Sequence, residues 1–383
     1  MFICGEARCK PPTTRGYPYQ ICQDVGCLFY VLEHRYYGES QPFPDWSTES
    51  LKFLNATQAL ADLNNFMTTM DKQIVTKYGG QPRKWVTIGG SYPGALSAWF
   101  KHEYPNSAVV SWSSSGVILP VRNFTNFDLD IWQATSRSGP NCPAAIMNIT
   151  NYVQQAITDQ LTPQDKEIVW NSFDSQGVDN ADLMWYLADV FSLGAQYGGR
   201  SAMCDIFTSV MNTNMSLQLS VVRQYAESKG TTLNQYDRIA LSNIKMNYYD
   251  NMRQWTWQYC TEFGWFQMAN KEHPLRSSLI NETYWVPYCQ SIFGNTIGEP
   301  AVQYYIDRYG GLNITGKNIV FANAIEDPWQ YAGMRQLSDP TGTQKDMVAF
   351  LINCENCGHC IDLSTPSPTD TPALTLARTK IGN

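Results

Sequence analysis

The chain has 383 residues and a formal net charge of −7 at pH 7. That length accommodates one large α/β domain with an insertion. The acidic balance argues against a nucleic-acid partner, and no apolar run reaches the ~18 residues that a membrane-spanning helix needs. Eleven cysteines are more than a cytosolic enzyme usually carries, which favours an oxidising compartment. Their odd number leaves at least one thiol unpaired if the others form disulfides.

The first part of the chain alternates strand and helix patterns. Strand-type apolar runs occupy residues 2–4, 28–32, 85–88 and 108–113. Residues 48–77 carry an apolar stripe at helical spacing. The chain begins inside what looks like a core strand, and its first residues have neither the basic region nor the long apolar stretch of a signal peptide. We therefore expect the sequence to be N-terminally incomplete; without upstream strands, one edge of the sheet would be bare.

The segment 85–100, WVTIGGSYPGALSAWF, predicts a strand, a sharp turn and a helix, with Ser91 at the apex. In a nucleophile elbow, small residues flank the serine because strand and helix nearly touch there. Gly89 fits the usual G-x-S-x-G pattern, but Pro93 stands at its last position and Gly94 follows one place later. The N–H of Tyr92, the next residue after the serine, is expected to point at a developing oxyanion.

A nucleophilic serine needs a base and an acid, and the order Ser, acid, His along the chain is typical of α/β-hydrolases. The histidines are four in number: His34, His102, His273 and His359. Only His359 is late enough and follows a strand-type run, residues 348–352. Asp327 follows the preceding run, residues 318–321. Ser91, Asp327 and His359 therefore form the predicted catalytic triad.

Between these two parts the strand pattern gives way to helical periods rich in Trp, Tyr and Met. We predict an α/β-hydrolase fold with a large, mainly helical inserted cap domain. The first part of the core covers residues 1–118, the cap covers residues 119–311, and the second part of the core covers residues 312–383. Such a cap normally roofs the site and sets the size of the substrate.

Several motifs resemble the S28 family of serine peptidases, which contains lysosomal Pro-Xaa carboxypeptidase, dipeptidyl peptidase II and the thymus-specific serine protease. The motifs are GGSY, EHRYYGES, DPW, GHCIDL, RQWTWQYCTEFGWFQ and YCQSIFG. The segment ADVFSLGAQYGGRSAMC is most similar to the thymus-specific branch and its plant and protist relatives. The resemblance runs from about residue 3 to 363. It implies an exopeptidase that cleaves after proline, by way of an acyl-enzyme, in the secretory pathway: lysosomal, vacuolar or extracellular.

The resemblance and the chemistry together assign further roles. The loop after the first strand, with Gly5 and Glu6, is expected to complete the oxyanion hole that Tyr92 begins. Trp329, beside the acid, is a candidate wall for a proline ring. Glu33, Arg35 and Tyr37 either shape the site or form a structural ion pair and packing. The sequence does not decide which peptide terminus is trimmed, because the cap carries both signs of charge, including Asp250, Arg253 and Glu262.

The remaining expectations concern partners and alternatives. We expect peptide substrates, no metal or other cofactor, and a chain compatible with a homodimer. Six glycosylation sequons, at Asn55, Asn123, Asn148, Asn214, Asn281 and Asn313, support secretion only mildly. The cysteines around His359 fit a zinc site or a CGHC redox motif less well than a disulfide that braces the histidine loop. A non-catalytic α/β-hydrolase, full-length or truncated, that acts as a binding module is the alternative function.

Overall fold

A parallel six-stranded sheet forms the centre of the molecule. The computed structural model describes residues 1–9 and 16–382. Its strands are β1 (Phe2–Ile3), β2 (Val31–Leu32), β3 (Val86–Gly90), β4 (Val110–Ser114), β5 (Val121–Phe124), β6 (Gly264–Gln267), β7 (Ile319–Ala324) and β8 (Val348–Ile352). The large sheet has the order β2-β1-β3-β4-β7-β8 with every pair parallel, while β5 and β6 form a separate parallel pair.

Helices cover the sheet and fill the long connection between β4 and β7. Those of the first part are α1 (Tyr17–Val25), α2 (Thr48–Leu51), α3 (Ala56–Tyr78) and α4 (Tyr92–Glu103). The connection carries α5 (Thr125–Ser136), α6 (Asn141–Ile157), α7 (Pro163–Phe173), α8 (Asn180–Gln196), α9 (Arg200–Val210), α10 (Met215–Ser228), α11 (Arg238–Leu241), α12 (Met252–Gln258), α13 (Glu282–Phe293) and α14 (Val302–Tyr309). The last helix is α15 (Pro372–Gly382). Among the residues described, no helix is both long and apolar enough to cross a membrane.

The sheet register explains why distant parts of the chain meet at one edge. Gly90 at the end of β3 pairs with Ser114, Ser114 pairs with Ala322, and Ala324 at the end of β7 pairs with Ile352 at the end of β8. Because parallel strands end at the same edge of a sheet, the loops after β3, β7 and β8 lie side by side. These loops carry the three residues of the predicted triad.

Two local predictions need correction. The predicted helix 48–77 is divided into α2 and α3, because the side chain of Asn55 accepts a hydrogen bond from Gln58 N and starts a new helix. The mainly helical region also contains the β5–β6 pair. Gly264 makes this pairing feasible: its φ is 71°, and a Cβ there would lie 2.7 Å from the carbonyl oxygen of Val121.

Disulfides link ten of the eleven cysteines, all of which lie in the described part of the chain. Five are present: Cys4–Cys9, Cys22–Cys27, Cys142–Cys204, Cys260–Cys289 and Cys354–Cys357. Two of them lie within the long connection, where they join α6 to α9 and the π-helical turn Tyr259–Phe263 to α13. Cys360 is the one free cysteine. Because the number of cysteines is odd, at least one thiol had to remain unpaired.

The elbow sequence departs from G-x-S-x-G in a way that the packing explains. A Cβ on Gly89 would lie 2.0 Å from the carbonyl oxygen of Pro93, so the strand and the helix touch at this point. A Cβ on Gly94 would lie 2.6 Å from the carbonyl oxygen of Ser114 and 2.9 Å from the Cα of Gly116. The second glycine is therefore needed against β4, while Pro93 fits the first turn of α4.

Replacing Gly94 by alanine should lower the free energy of unfolding by about 1–3 kcal/mol. Alanine normally stabilises a helix interior by about 1 kcal/mol over glycine, but here the overlap with β4 outweighs that gain. Urea unfolding measures the change. Gly298→Ala is the control, since a Cβ there has nothing within 4 Å. A Gly94→Ala protein as stable as the parent would contradict the close approach of α4 and β4.

Candidate active site

Ser91 lies at the tight turn between β3 and α4. Its φ is 65° and its ψ is −130°, an unusual conformation for a residue with a side chain, which costs of the order of 1–3 kcal/mol. The turn is held by hydrogen bonds from Ser91 N to the carbonyl of Ser114, 2.9 Å, and from Ala95 N to the carbonyl of Ser91, 3.1 Å. The fold therefore maintains a strained backbone at the residue that was predicted to be the nucleophile.

His359 and Asp327 form a buried pair on the loops after β8 and β7. The distance from His359 Nδ1 to Asp327 Oδ2 is 2.8 Å, and Asp327 is completely buried. The other oxygen of Asp327 accepts from Trp329 N at 3.0 Å. The backbone N–H of His359 donates to the carbonyl of Gln196 at 2.6 Å, so α8 helps to fix the loop. With an aspartate on Nδ1, the imidazole keeps its proton there and presents Nε2 as the basic nitrogen.

The surroundings favour the charged form of His359. Burial lowers the pKa of this imidazole, but the charge of Asp327 and the neighbouring Cys360 thiol outweigh burial and raise the pKa well above its usual value. Nε2 is buried and has no hydrogen-bond partner among the described residues. Nε2 is thus available to a ligand, and the pairing with Asp327 stabilises the imidazolium that forms when Nε2 takes up a proton.

A cavity of about 520 Å³ brings Ser91, His359, Trp329 and Glu6 together. This volume is within the range of pockets that hold small molecules and short peptides. Eight aromatic residues in the described part of the chain line the cavity: Trp185, Tyr197, Tyr236, Trp255, Tyr259, Trp265, Trp285 and Trp329. Such a wall suits apolar side chains and flat rings.

Two other predicted residues lie beside the cavity. The side chain of Tyr92 is buried in the core, where its hydroxyl is 3.0 Å from His34 Nε2, while its N–H is at the first position of α4 and has no carbonyl within the helix to bond. Gly5 lines a neighbouring cavity, and a Cβ on it would overlap the ring of Pro93, 2.3 Å from its Cγ.

The other charged candidates lie away from the cavity. Arg253 is buried and donates to the carbonyls of Trp46 and Leu241, and Glu262 is buried in hydrogen bonds to Gln258 and Tyr305. Asp250 is exposed and does not line the cavity.

The charged side chains Glu33 and Arg35 of the EHRYYGES segment also contact other protein groups instead of lining the cavity. Glu33 accepts from Glu39 N and Ser40 N, at 2.9 and 3.0 Å, and so closes its own loop. Arg35 pairs with Asp62 at 2.6 Å rather than with Glu33.

Comparison with known proteins places the chain in a family. The family profile described as "Serine carboxypeptidase S28" matches residues 1–381. The chain belongs to the S28 family of serine peptidases. It is 31% identical, over 95% of its length and 73% of the relative's, to "Probable serine protease EDA2" of Arabidopsis thaliana. It is 24% identical to "Thymus-specific serine protease" of Mus musculus, over 100% of this chain and 78% of that one. It is 26% identical to "Probable extracellular serine carboxypeptidase" of Arthroderma benhamiae, over 86% of this chain and 52% of that one.

The family match confirms the predicted resemblance and the fold class. This S28 member is a serine-type peptidase with an α/β-hydrolase fold. Its parallel sheet, with the loops after β3, β7 and β8 at one edge, is the arrangement that this fold requires.

Two buried carboxylates of this S28 peptidase escaped the sequence reasoning. Glu326, the neighbour of Asp327, is completely buried and accepts from Arg200 at 3.0 Å and Arg137 at 2.9 Å. Asp362, three residues after His359, accepts from Ser114 Oγ at 2.5 Å and Trp112 Nε1 at 2.8 Å. Both acids fix the triad loops to other elements. The only signal in the sequence is that Glu326 directly precedes the DPW motif and that Asp362 stands within GHCIDL.

The cysteines around His359 are arranged as a brace. The Cys354–Cys357 disulfide closes the segment just before the histidine, so two of the four residues considered for zinc are bonded to each other. The CGHC motif is not a disulfide in this structure, because Cys357 pairs with Cys354 and Cys360 is free. Cys360 N donates to Ser115 Oγ at 2.9 Å, which adds a second attachment of this loop to β4.

Substituting Asp362 by asparagine should change how stability depends on pH. Burial raises the pKa of Asp362 from 3.8 to about 6, so the folded state keeps a proton that the unfolded chain releases. The stability that this group contributes is present below pH 3.8 and is lost as the pH rises through 6. Asp362→Asn removes that titration. The free energy of unfolding of the variant minus that of the parent should therefore be larger at pH 6.5 than at pH 4, by about 1–3 kcal/mol.

Urea unfolding at several pH values measures this difference. Asp24→Asn, at an exposed position, is the control and should follow the parent throughout. If the Asp362→Asn protein followed the parent as well, the carboxyl would not titrate as its burial requires.

Proposed function

We propose that this S28 peptidase is a serine exopeptidase that hydrolyses peptide bonds after proline through an acyl-enzyme. The observation that carries the proposal is the pair of His359 and buried Asp327 at 2.8 Å, on the same cavity as the strained Ser91. Ser91 Oγ attacks the scissile carbonyl while His359 Nε2 takes its proton. The same nitrogen later protonates the leaving amine, and Asp327 holds the ring and its Nδ1 proton.

The oxyanion of the tetrahedral intermediate needs two N–H donors. Tyr92 N–H is the first, because it is unpaired within α4 and follows the nucleophile directly. The second comes from the loop after β1, where Gly5 rests on Pro93 and Glu6 reaches the cavity of Ser91. Loss of one such donor usually costs about 10²–10³ in kcat.

Selection of proline rests on the aromatic wall. Trp329 lines the cavity, and its ring is packed edge-on against Phe127 at 5.1 Å and against Trp265 at 5.9 Å. A rigid indole offers a flat face to a pyrrolidine ring, which has little conformational freedom to lose.

The helical connection acts as the cap, residues 119–311, between core parts 1–118 and 312–383. Support comes from the cavity lining, to which Trp185, Tyr236, Trp255 and Trp285 of this connection contribute. A roof of this kind limits how much polypeptide can enter, which favours exopeptidase over endopeptidase action.

An extracytoplasmic location follows from the chemistry of the chain. Five disulfides and a relative named as extracellular support secretion or residence in the secretory pathway, including a lysosome or vacuole. Five of the six sequon asparagines, all except Asn55, are exposed and accessible to glycosylation.

The proposed nucleophile and base can be tested together. Ser91→Ala and His359→Ala should each lower kcat by about 10⁶, because members of a triad act as a unit. Ser91→Ala should also abolish labelling by a fluorophosphonate. The controls are Ser209→Ala and His102→Ala, which lie outside the cavity and should keep the parent's activity. Activity of the Ser91→Ala protein within tenfold of the parent would remove Ser91 as the nucleophile, whereas a parent protein with neither activity nor labelling would favour the binding module.

The proline preference can be tested at Trp329. Trp329→Ala should lower kcat/KM for substrates with proline before the scissile bond by about 10–200-fold, with a smaller loss for alanine in that position. Labelling by a small fluorophosphonate should persist. Trp132→Ala is the matched control, since Trp132 stacks on His273 at 3.6 Å and does not line the cavity. Equal losses for both substrates would show that Trp329 only packs the loop.

A further inference from the structure

Glu6 lines the active-site cavity, and one of its carboxyl oxygens has no hydrogen-bond partner among the described residues. Its Oε2 is buried and accepts no hydrogen bond from any described residue. Burial raises the pKa of this carboxyl above its usual value, although a backbone hydrogen bond and the nearby charge of His359 partly oppose the rise. A buried carboxylate without a donor costs free energy, so such a group in a native site calls for an explanation.

The position of Glu6 is fixed from two sides. Gly5, its neighbour, rests on the ring of Pro93, two residues after the nucleophile. On the other side, Asn251 Nδ2 donates to the backbone carbonyl of Glu6, which ties the loop to the residue before α12. The backbone of Glu6 is therefore held between the elbow and the residue before α12, at the cavity that Ser91 also lines.

Apart from His359, the charged residues that line the cavity in the described part of the chain are acidic. Of the described residues that line it, Glu6 and Asp189 are the acids, and none is lysine or arginine. Asp189 already has partners: Tyr236 donates to it at 2.6 Å, and the Arg276 guanidinium lies 3.5 Å away. Of these two acids, Glu6 is the one with no lysine or arginine partner among the described residues.

We propose that the Glu6 carboxylate binds the protonated α-amino group of the substrate, so that the enzyme trims peptides from a free N-terminus. The inference rests on the proposed function, because it names the class of substrate for the same site. An ammonium group would give the buried oxygen the donor that it lacks. A substrate with its terminal carboxylate in this cavity would meet a like charge and no described lysine or arginine. Glu6 and Ser91 line the same cavity, so an amine bound at Glu6 would lie in the cavity that contains the proposed nucleophile.

The first test needs only the wild-type protein. Hydrolysis of Ala-Pro-aminomethylcoumarin is compared with hydrolysis of its N-acetylated form, and with removal of the last residue from an N-acetylated peptide that ends in Pro-Phe. We expect kcat/KM for the free amine to exceed both by at least about tenfold. Equal rates for the free and acetylated substrates, or faster trimming of the Pro-Phe peptide, would overturn the proposal.

The second test assigns the preference to Glu6. Glu6→Gln should lower kcat/KM for the free amine about 10–100-fold more than for the acetylated substrate, whereas Glu6→Asp should retain most of the preference because it retains the charge. Glu272→Gln, an exposed acid outside the cavity, controls for the change in net charge and should leave the ratio unchanged. Equal losses for both substrates in Glu6→Gln would mean that Glu6 supports the loop, and would overturn its role as an anchor.

Fluorophosphonate labelling separates the two proposals. A wild-type protein that is labelled at Ser91 but ignores the substrate's amino group would contradict the role of Glu6 and leave the mechanism standing. A wild-type protein that is not labelled would contradict the mechanism itself. The wild-type comparison decides against the anchor even where the Glu6→Gln protein fails to fold.

Discussion

The buried carboxylate of Glu326 joins the loops that carry Asp327 and His359 to the helical connection. It is completely shielded from solvent, and a charge in that position is stable only with close partners. Arg200 at the start of α9 and Arg137 at the end of α5 supply them, and Asn356 N, on the histidine loop, donates to the same side chain at 3.2 Å. Because Glu326 precedes Asp327, the acid loop, the histidine loop and the helical connection are positioned by one group. Neither loop can shift without uncovering that charge.

A buried hydrogen bond between Tyr92 and His34 supports the side of the site that carries Ser91. Tyr92 gives its N–H to the predicted oxyanion hole and its side chain to the core, where its hydroxyl meets His34 Nε2. The Nδ1 of His34 is 2.7 Å from the carbonyl of Arg35, so that nitrogen carries the proton and Nε2 accepts from Tyr92. Burial lowers the pKa of His34 to about 4, which keeps the imidazole neutral and the hydrogen bond intact at any pH near neutrality. The residue after the nucleophile is thus fixed by a histidine that performs no chemistry.

The parts of the fold that were predicted from the sequence are those set by local patterns. The elbow, the strands that precede Asp327 and His359, and the order of the three residues depend on short-range signals and on the rule that parallel strands end at one edge. The partners of Glu326 could not be predicted in this way, because Arg200 is 126 positions away and its pairing arises only from packing. The disulfides illustrate the same limit: Cys142 and Cys204 are 62 positions apart, and spacing alone does not pair them. The β5–β6 pair was missed because two short strands lie within a region of helical periodicity, and only the glycine at residue 264 marks their contact.

The proposed catalytic residues and most of the side chains proposed to select the substrate lie in different parts of this molecule. The loops of the central sheet carry Ser91, Asp327 and His359, whereas most of the aromatic wall belongs to the helical connection. Sequence change in that connection can alter which side chains fit without moving the reacting groups. Glu6 differs from the rest of the wall, because it is on a sheet loop and rests against the elbow through Gly5. If the proposed amine anchor is on the sheet, the rigid core sets the distance from the substrate's terminus to the scissile bond. The choice of side chains is then left to the helical connection, so the two kinds of specificity can change independently.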